Sequence, residues 1–137
     1  MESISVNGEP IEPEIDRGYA AITRTWEPGD RIEFGIPMEI QRITADERIE
    51  ENRGKVSLRY GPLIYNVESI DQDIEKSLGS GPLTTEWDED LLEGIVTIKG
   101  TWSDGSPFLA IPNYARMNRA GTEDPEQQVS SIVWINQ

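Results

Sequence analysis

The sequence predicts an all-β protein, an antiparallel β-sandwich of jelly-roll-like or immunoglobulin-like type with few or no helices. Apolar and polar residues alternate in several short stretches, turn signals separate these stretches, and no long helical period occurs. The clearest alternation spans residues 30–40, where every second position is apolar: Ile32, Phe34, Ile36, Met38 and Ile40. This spacing predicts a strand with one apolar face, and we expect that face to lie in the core.

Two turn signals define the strands of the first forty residues. Asn7-Gly8 follows a short apolar alternation and is a strong hairpin signal, so we expect a short edge strand there. Residues 19–26 are rich in β-forming side chains and lead through the Pro28-Gly29 turn into the 30–40 strand. We therefore expect these two strands to pair across that turn.

The middle of the chain contains two further alternating stretches. Residues 44–53 are highly charged and fit either a helical turn or an exposed linker. The apolar positions then change from even numbers in 56–60 to odd numbers in 63–67 across Gly61-Pro62. Such a change of phase predicts a bulge or a switch of the chain between sheets.

The second half of the chain contains three more predicted strands. We expect them at 91–100, 108–111 and 132–135, with a hairpin turn at 103–106. Residues 69–90 are polar, with a loop marked by Gly79, Gly81 and Pro82, and residues 118–128 are predicted to be a polar loop. We expect residues 1–137 to form one β-sandwich region, or a β-sandwich region that is subdivided near 68–90.

Composition excludes several classes of protein. The 137 residues contain no Cys and no His, which excludes a disulfide scaffold, a Cys or His zinc site and a His-dependent catalytic triad. The net charge of −14 is unfavourable for binding nucleic acid or an anionic membrane. No apolar stretch approaches the roughly 20 residues of a membrane helix, and no signal pattern opens the chain, so we expect a soluble chain of unknown compartment.

A series of short segments occurs in a recognisable order along most of the chain. They are Val6-Asn7-Gly8, Gly18-Tyr19, Arg24-Thr25-Trp26, Gly29-Asp30, Ile36-Pro37-Met38, residues 54–65 (GKVSLRYGPLIY), Ile111-Pro112-Asn113-Tyr114-Ala115 and Asn118-Arg119. This series resembles the C-terminal β-sandwich part of glycoside hydrolase family 127, the β-L-arabinofuranosidase family. One departure is Arg116, at a position where the family tends to have an aromatic residue.

The resemblance implies a non-catalytic β-sandwich of a glycoside hydrolase, which supports a catalytic (α/α)6 barrel that precedes this region in the family. That barrel carries a cysteine nucleophile, a zinc held by cysteines and a glutamate, and a glutamate acid/base. Because this chain has no Cys, no catalytic, cofactor-binding or metal-binding residue is carried over, and no cofactor is expected. The expected partners are the barrel, a second copy of the chain at an open sheet edge, or a carbohydrate.

The alternative function is an independent carbohydrate-binding module. Its candidate contacts are aromatic residues on which a sugar ring could stack: Trp87, Trp102 and Tyr114. For Trp26, Trp102 and Trp134, which sit beside strand residues, packing in the core is the competing interpretation.

The densest group of carboxylates surrounds Trp87 and comprises Glu86, Asp88, Glu89 and Asp90. Two carboxylates can hydrolyse a glycoside when one has a raised pKa, but nothing in the sequence desolvates one acid relative to another. Their spacing also differs from that of an EF-hand. A solvated loop is therefore preferred over a hydrolytic or calcium site, and Arg24 and Arg59 are expected to form structural ion pairs.

Overall fold

A computed structural model describes residues 3–119 and 129–137 and divides the chain into two compact units, Met1–Met38 and Glu39–Gln137. The all-β prediction is confirmed, since all paired strands in the described residues are antiparallel and helical structure there is limited to two 3-10 turns. None of the helices in these residues is long and apolar enough to cross a membrane. The subdivision considered near 68–90 lies inside the second unit, and most of the predicted loop at 118–128 lies outside the described residues.

From residue 3 onward, the first unit contains five short strands, namely β1 (Ser3–Val6), β2 (Glu9–Pro10), β3 (Glu14–Asp16), β4 (Tyr19–Ala21) and β5 (Ile32–Gly35). β1 lies between β2 and β5 in one sheet, and β3 pairs with β4 in another. The predicted hairpin at Asn7-Gly8 is confirmed, because these residues have φ of 54° and 82° and join β1 to β2. The expectation that β1 is an edge strand is wrong, since it has a partner on each side.

The predicted pairing across Pro28-Gly29 is also wrong. β4 pairs with β3, whereas β5 pairs with β1 in a register that places Phe34 opposite Ile4. The physical reason lies at the start of β5. Asn7 donates from its side-chain amide to Asp30 at 2.7 Å and accepts the backbone N–H of Arg31 at 2.9 Å, which ties β5 to the β1–β2 turn.

The second unit contains eight strands in its described residues. They are β6 (Ile40–Ile43), β7 (Lys55–Tyr60), β8 (Leu63–Glu68), β9 (Thr84–Asp88), β10 (Ile95–Thr101), β11 (Pro107–Pro112), β12 (Ser131–Ile132) and β13 (Ile135–Asn136). The sheet order is β13-β7-β8-β11-β10-β9, with β6 paired to β7 and β12 paired to β8, and the sheets include a curled half-barrel.

The segments that connect these strands include three for which the sequence makes a prediction. A 3-10 turn at Glu50–Asn52 confirms the helical-turn interpretation of 44–53. The loop predicted at Gly79, Gly81 and Pro82 is confirmed, and β9 follows it within the polar stretch 69–90 and forms the edge of the sheet. The hairpin turn at 103–106 is confirmed by the pairing of Thr101 with Pro107.

The change of phase at Gly61-Pro62 reflects a tight hairpin, so the predicted bulge or switch of sheet is wrong. Tyr60 pairs directly with Leu63, which leaves a two-residue turn. Gly61 has a φ of 57°, and proline at the second position requires a negative φ, as in a type II′ turn. Because a two-residue turn places even-numbered residues opposite odd-numbered ones, the apolar residues of β7 and β8 share one face.

That shared face forms the core of the second unit. The buried side chains include Val56, Leu58, Tyr65, Val67, Ile98, Trp102, Phe108 and Ile135. Trp102 and Phe108 pack edge to face with their ring centroids 4.9 Å apart. The Tyr65 hydroxyl donates to the carbonyl oxygen of Val96 at 2.8 Å, and burial raises the pKa of Tyr65 to about 12.

Candidate functional site

The first unit exposes an apolar stripe, formed by the side chains of Ile32, Phe34, Ile36 and Met38. Their exposed fractions are 50%, 54%, 42% and 46%, so the expectation that this face lies in a core is wrong within the first unit. Among residues 3–38, the buried hydrophobic side chains are those of Ile4 and Val6. Contiguous apolar residues left in water are typical of a surface that binds another protein segment.

Two further aromatic residues of the first unit are exposed, Tyr19 at 78% and Trp26 at 46%, so core packing is wrong for Trp26. The Arg24 guanidinium lies 5.2 Å from the centroid of the Trp26 ring and also 3.5 Å from the Asp30 carboxylate. The expected ion pair of Arg24 is therefore confirmed. It combines with a cation–π contact that orients the indole.

Trp102 belongs to the core and is not available to a sugar. It is 2% exposed and donates its indole N–H to the side-chain oxygen of Gln72 at 3.2 Å. The same oxygen accepts the backbone N–H of Leu109 at 3.0 Å. The prediction of Trp102 as a carbohydrate contact is thus wrong, and its alternative, packing in the core, is confirmed. Trp134 is half-buried.

The other two candidate sugar contacts lie at the surface. Trp87 is on β9, at the edge of the sheet, and is 61% exposed. Tyr114 is 65% exposed and belongs to the 3-10 turn Asn113–Ala115, which directly follows β11. Both side chains have the accessibility that stacking on a sugar requires, and this role stays a prediction for each.

The acidic group around Trp87 is held by local contacts. Glu86 forms an ion pair with Lys99 at 2.7 Å, and Asp88 accepts the backbone N–H of Asp90 at 3.1 Å. In residues 3–119 and 129–137, no set of three acidic side chains is arranged to hold a metal ion. Arg59 donates to the side-chain oxygen of Gln41 and forms no ion pair within these residues, so its expected ion pair is wrong.

A buried polar network that the sequence does not reveal surrounds Glu68. This residue is 1% exposed and accepts the backbone N–H of Met117 at 2.6 Å and a guanidinium N–H of Arg119 at 3.0 Å. Arg119 also donates twice to Asp71, at 2.7 and 2.6 Å. The carboxylate of Glu68 is therefore engaged in holding the chain that follows β11, an arrangement typical of a structural ion pair.

The boundary between the units coincides with a boundary between two family models. The model of the glycoside hydrolase family 127 C-terminal domain matches residues 40–135, and the model of the GH127 beta-L-arabinofuranosidase middle domain matches residues 2–38. A non-reducing end beta-L-arabinofuranosidase of Bifidobacterium longum subsp. longum is 23% identical over 105 residues. That alignment covers 70% of this chain and 16% of the relative.

Two solved structures are similar over almost the whole chain. A GH127 beta-L-arabinofuranosidase from Geobacillus stearothermophilus T6 superposes with a TM-score of 0.74 at 31% identity, covering 98% of this chain and 24% of that one. A second GH127 beta-arabinofuranosidase has a TM-score of 0.73 at 24% identity, which supports the fold, and covers 98% and 23%. This chain thus spans about a quarter of the length of these structures.

Proposed function

Because this chain belongs to glycoside hydrolase family 127, we propose that it is a non-catalytic accessory region of a β-L-arabinofuranosidase-like enzyme, where it supports a catalytic domain. The observation that carries the proposal is the apolar stripe. Its residues end the segment that matches the middle-domain model, and they remain exposed in this chain. We expect them to be covered by a part of the enzyme outside these 137 residues.

The stripe has the dimensions of a packing surface. Ile32 and Phe34 lie on β5, and Ile36 and Met38 follow its end at Gly35. An extended chain advances by about 3.3 Å per residue, so these four side chains extend over at most about 20 Å. Burying a large apolar side chain contributes on the order of 1.5–3 kcal/mol, and each of these side chains is still about half exposed. Because about half of each side chain is left to bury, covering all four contributes about half of that energy per side chain. The assembly is therefore stabilised by several kcal/mol, on the order of 3–6 kcal/mol.

The first unit also needs such support for its own stability. Segments below about 40 residues rarely bury enough surface to fold alone unless disulfides, metals or partners stabilise them. This unit ends at Met38, and the chain has no Cys. Docking onto a larger domain would complete the cover of its three-stranded sheet, on which Ile4 and Val6 are buried while their cross-strand partners Phe34 and Ile32 are about half exposed.

The side chains available in this chain support a non-catalytic role. The cysteine nucleophile and cysteine-bound zinc implied by the family resemblance have no counterpart, because the chain contains no Cys. Glu68, which is buried, is committed to Arg119 and a backbone N–H, and Glu86 is paired with Lys99. Neither carboxylate is free to act as an acid or a nucleophile.

The test is co-expression of this chain with the polypeptide encoded upstream of Met1. We expect the two to co-purify, and we expect Phe34→Asp to abolish co-purification because it places a charge in the apolar stripe. The matched control is Ile49→Asp, since Ile49 is 45% exposed and lies in the second unit.

Two outcomes would overturn the proposal. One is an upstream reading frame that encodes no helical barrel, and the other is hydrolysis of p-nitrophenyl β-L-arabinofuranoside by this chain alone. Equal loss of binding in the Phe34 and Ile49 variants would remove the stripe as its basis. Size-exclusion chromatography of the isolated chain then tests whether a second copy covers the stripe instead.

A further inference from the structure

The exposed indole of Trp87 is not explained by a supporting role. Trp87 is the last residue but one of β9, opposite Val96 of β10, and β9 forms the outer edge of the sheet. At 61% exposure, most of this large side chain is in water. An aromatic residue in this position has a ring free to contact a ligand.

The loop that joins β9 to β10 is shaped to contact this indole. Gly94 lies so close to the six-membered ring that a Cβ atom at position 94 would be 1.9 Å from the Cζ2 atom of Trp87. No residue other than glycine fits there without displacing the ring. The backbone N–H of Gly94 donates to the carbonyl oxygen of Leu91 at 2.8 Å, which closes the turn beneath the ring.

The loop that contacts the indole has an unfavourable backbone conformation. Leu92, Glu93 and Gly94 have φ of 51°, 63° and 115°, so three consecutive residues are left-handed and two of them carry side chains. Residues with side chains are uncommon in this left-handed region, and strained backbone is concentrated at functional sites. The strain supports a role for the orientation of Trp87 that goes beyond folding.

The surroundings of Trp87 distinguish it from the apolar stripe. Its neighbours along the strand, Thr85, Glu86 and Asp88, are polar, and Glu89 and Asp90 follow directly. A protein interface buries a connected centre of several large apolar side chains, whereas Trp87 has Val96 as its cross-strand neighbour and polar residues on either side along β9. A sugar ring needs one aromatic face for its C–H groups and polar groups nearby for its hydroxyls.

We propose that Trp87 is the stacking platform of a saccharide-binding subsite that takes a neutral sugar ring. Thr85 lies two residues away on the same face of the strand, and the exposed carboxylates of Glu89 and Asp90 can accept hydrogen bonds from sugar hydroxyls. The same carboxylates repel acidic sugars, as does the net charge of −14. The subsite thus selects neutral saccharides over uronic acids.

The test uses the full 137-residue chain and the indole N–H resonances of its four tryptophans in NMR spectra. Neutral probes are L-arabinobiose and cellobiose, and the acidic probe is digalacturonate. We expect millimolar neutral disaccharide to shift the Trp87 resonance and leave that of the buried Trp102 unchanged. Digalacturonate is expected to bind at least tenfold more weakly, which corresponds to about 1.4 kcal/mol.

Three variants sharpen the test. Trp87→Ala removes the platform, and we expect binding to be lost. Trp26→Ala is the matched control, because Trp26 is also exposed but lies in the first unit, and we expect unchanged affinity. Gly94→Ala keeps the indole but displaces it, and we expect roughly tenfold weaker binding.

The proposal is overturned if no neutral disaccharide shifts Trp87, if digalacturonate binds as well, or if Trp26→Ala causes the loss instead. Backbone resonances that match those of the wild-type chain show that each variant is folded. Because the readout is binding at the second unit, it does not depend on whether the apolar stripe docks onto another domain. Failure of the subsite and failure of the accessory role are therefore distinguishable.

Discussion

The two units of this chain carry the same apolar alternation but bury it to opposite extents. In β7 and β8 of the second unit, Val56, Leu58, Tyr65 and Val67 are fully buried, whereas the apolar stripe of the first unit is about half exposed. The second unit supplies its own opposing layer, which includes Trp102 and Phe108. An alternating pattern thus defines an apolar face, while burial of that face requires a second layer to cover it.

The polar contacts of the two units also differ in how deeply they are buried. Glu68 of the second unit is buried with its ion pair, so its interactions take place with little solvent around them. The contacts among Asn7, Asp30 and Arg24 in the first unit lie at the surface. Since solvent screens exposed charges, we expect the first set to contribute far more to stability than the second.

Removing a core aromatic side chain should produce the largest effect. We expect Trp102→Ala to lower the free energy of unfolding by about 3–5 kcal/mol, because it leaves a cavity beside Phe108 and removes the indole hydrogen bond to Gln72. Trp26→Ala, the exposed counterpart in the first unit, should change it by less than about 1 kcal/mol. Urea denaturation followed by circular dichroism measures both, and equal losses would contradict the difference between the units.

Breaking the buried ion pair should have the next largest effect. Glu68→Gln keeps the shape of the side chain but leaves Arg119 without one of its two carboxylates, and we expect a loss of about 2–3 kcal/mol. Asp71→Asn is the matched control at the more exposed end of the network, where we expect a smaller loss. Thermal unfolding tests this order, and a larger effect of Asp71→Asn would reverse it.

The smallest effect should come from the exposed network of the first unit. The hydrogen bond from Asn7 holds the pKa of Asp30 below its usual value of 3.8, helped by the backbone N–H of Glu27. A lowered folded-state pKa stabilises the protein above about pH 4, and this contribution is lost as Asp30 is protonated at lower pH.

Carboxyl NMR titration tests this assignment. Asn7→Ala should raise the pKa of Asp30 toward 3.8 and leave Asp104 of the second unit unaffected, since the pKa of Asp104 is lowered mainly by Lys76. Lys76→Ala should raise the pKa of Asp104 and leave that of Asp30 unaffected. If Asn7→Ala left the pKa of Asp30 unchanged, Asn7 would not be the main cause of its shift.

Part of the candidate surfaces could be predicted from the sequence. Trp87 and Tyr114 were expected to be accessible aromatic residues, and both are exposed. Trp102 has the same local appearance but is buried, because the hairpin at 103–106 folds it against Phe108 and Gln72. Glu68 looked like an ordinary polar residue at a strand end, and only its contacts with Met117 and Arg119, far along the chain, reveal its role.

The all-β class and the tight turns at Asn7-Gly8 and 103–106 can be predicted from the sequence alone. They depend on alternation and on local backbone preferences, which adjacent residues set. The pairing of β5 with β1, the edge position of β9 and the exposure of the apolar stripe are properties of the tertiary structure. Those outcomes depend on which segments meet in space, because the free energy of burying a face comes from the layer that packs against it.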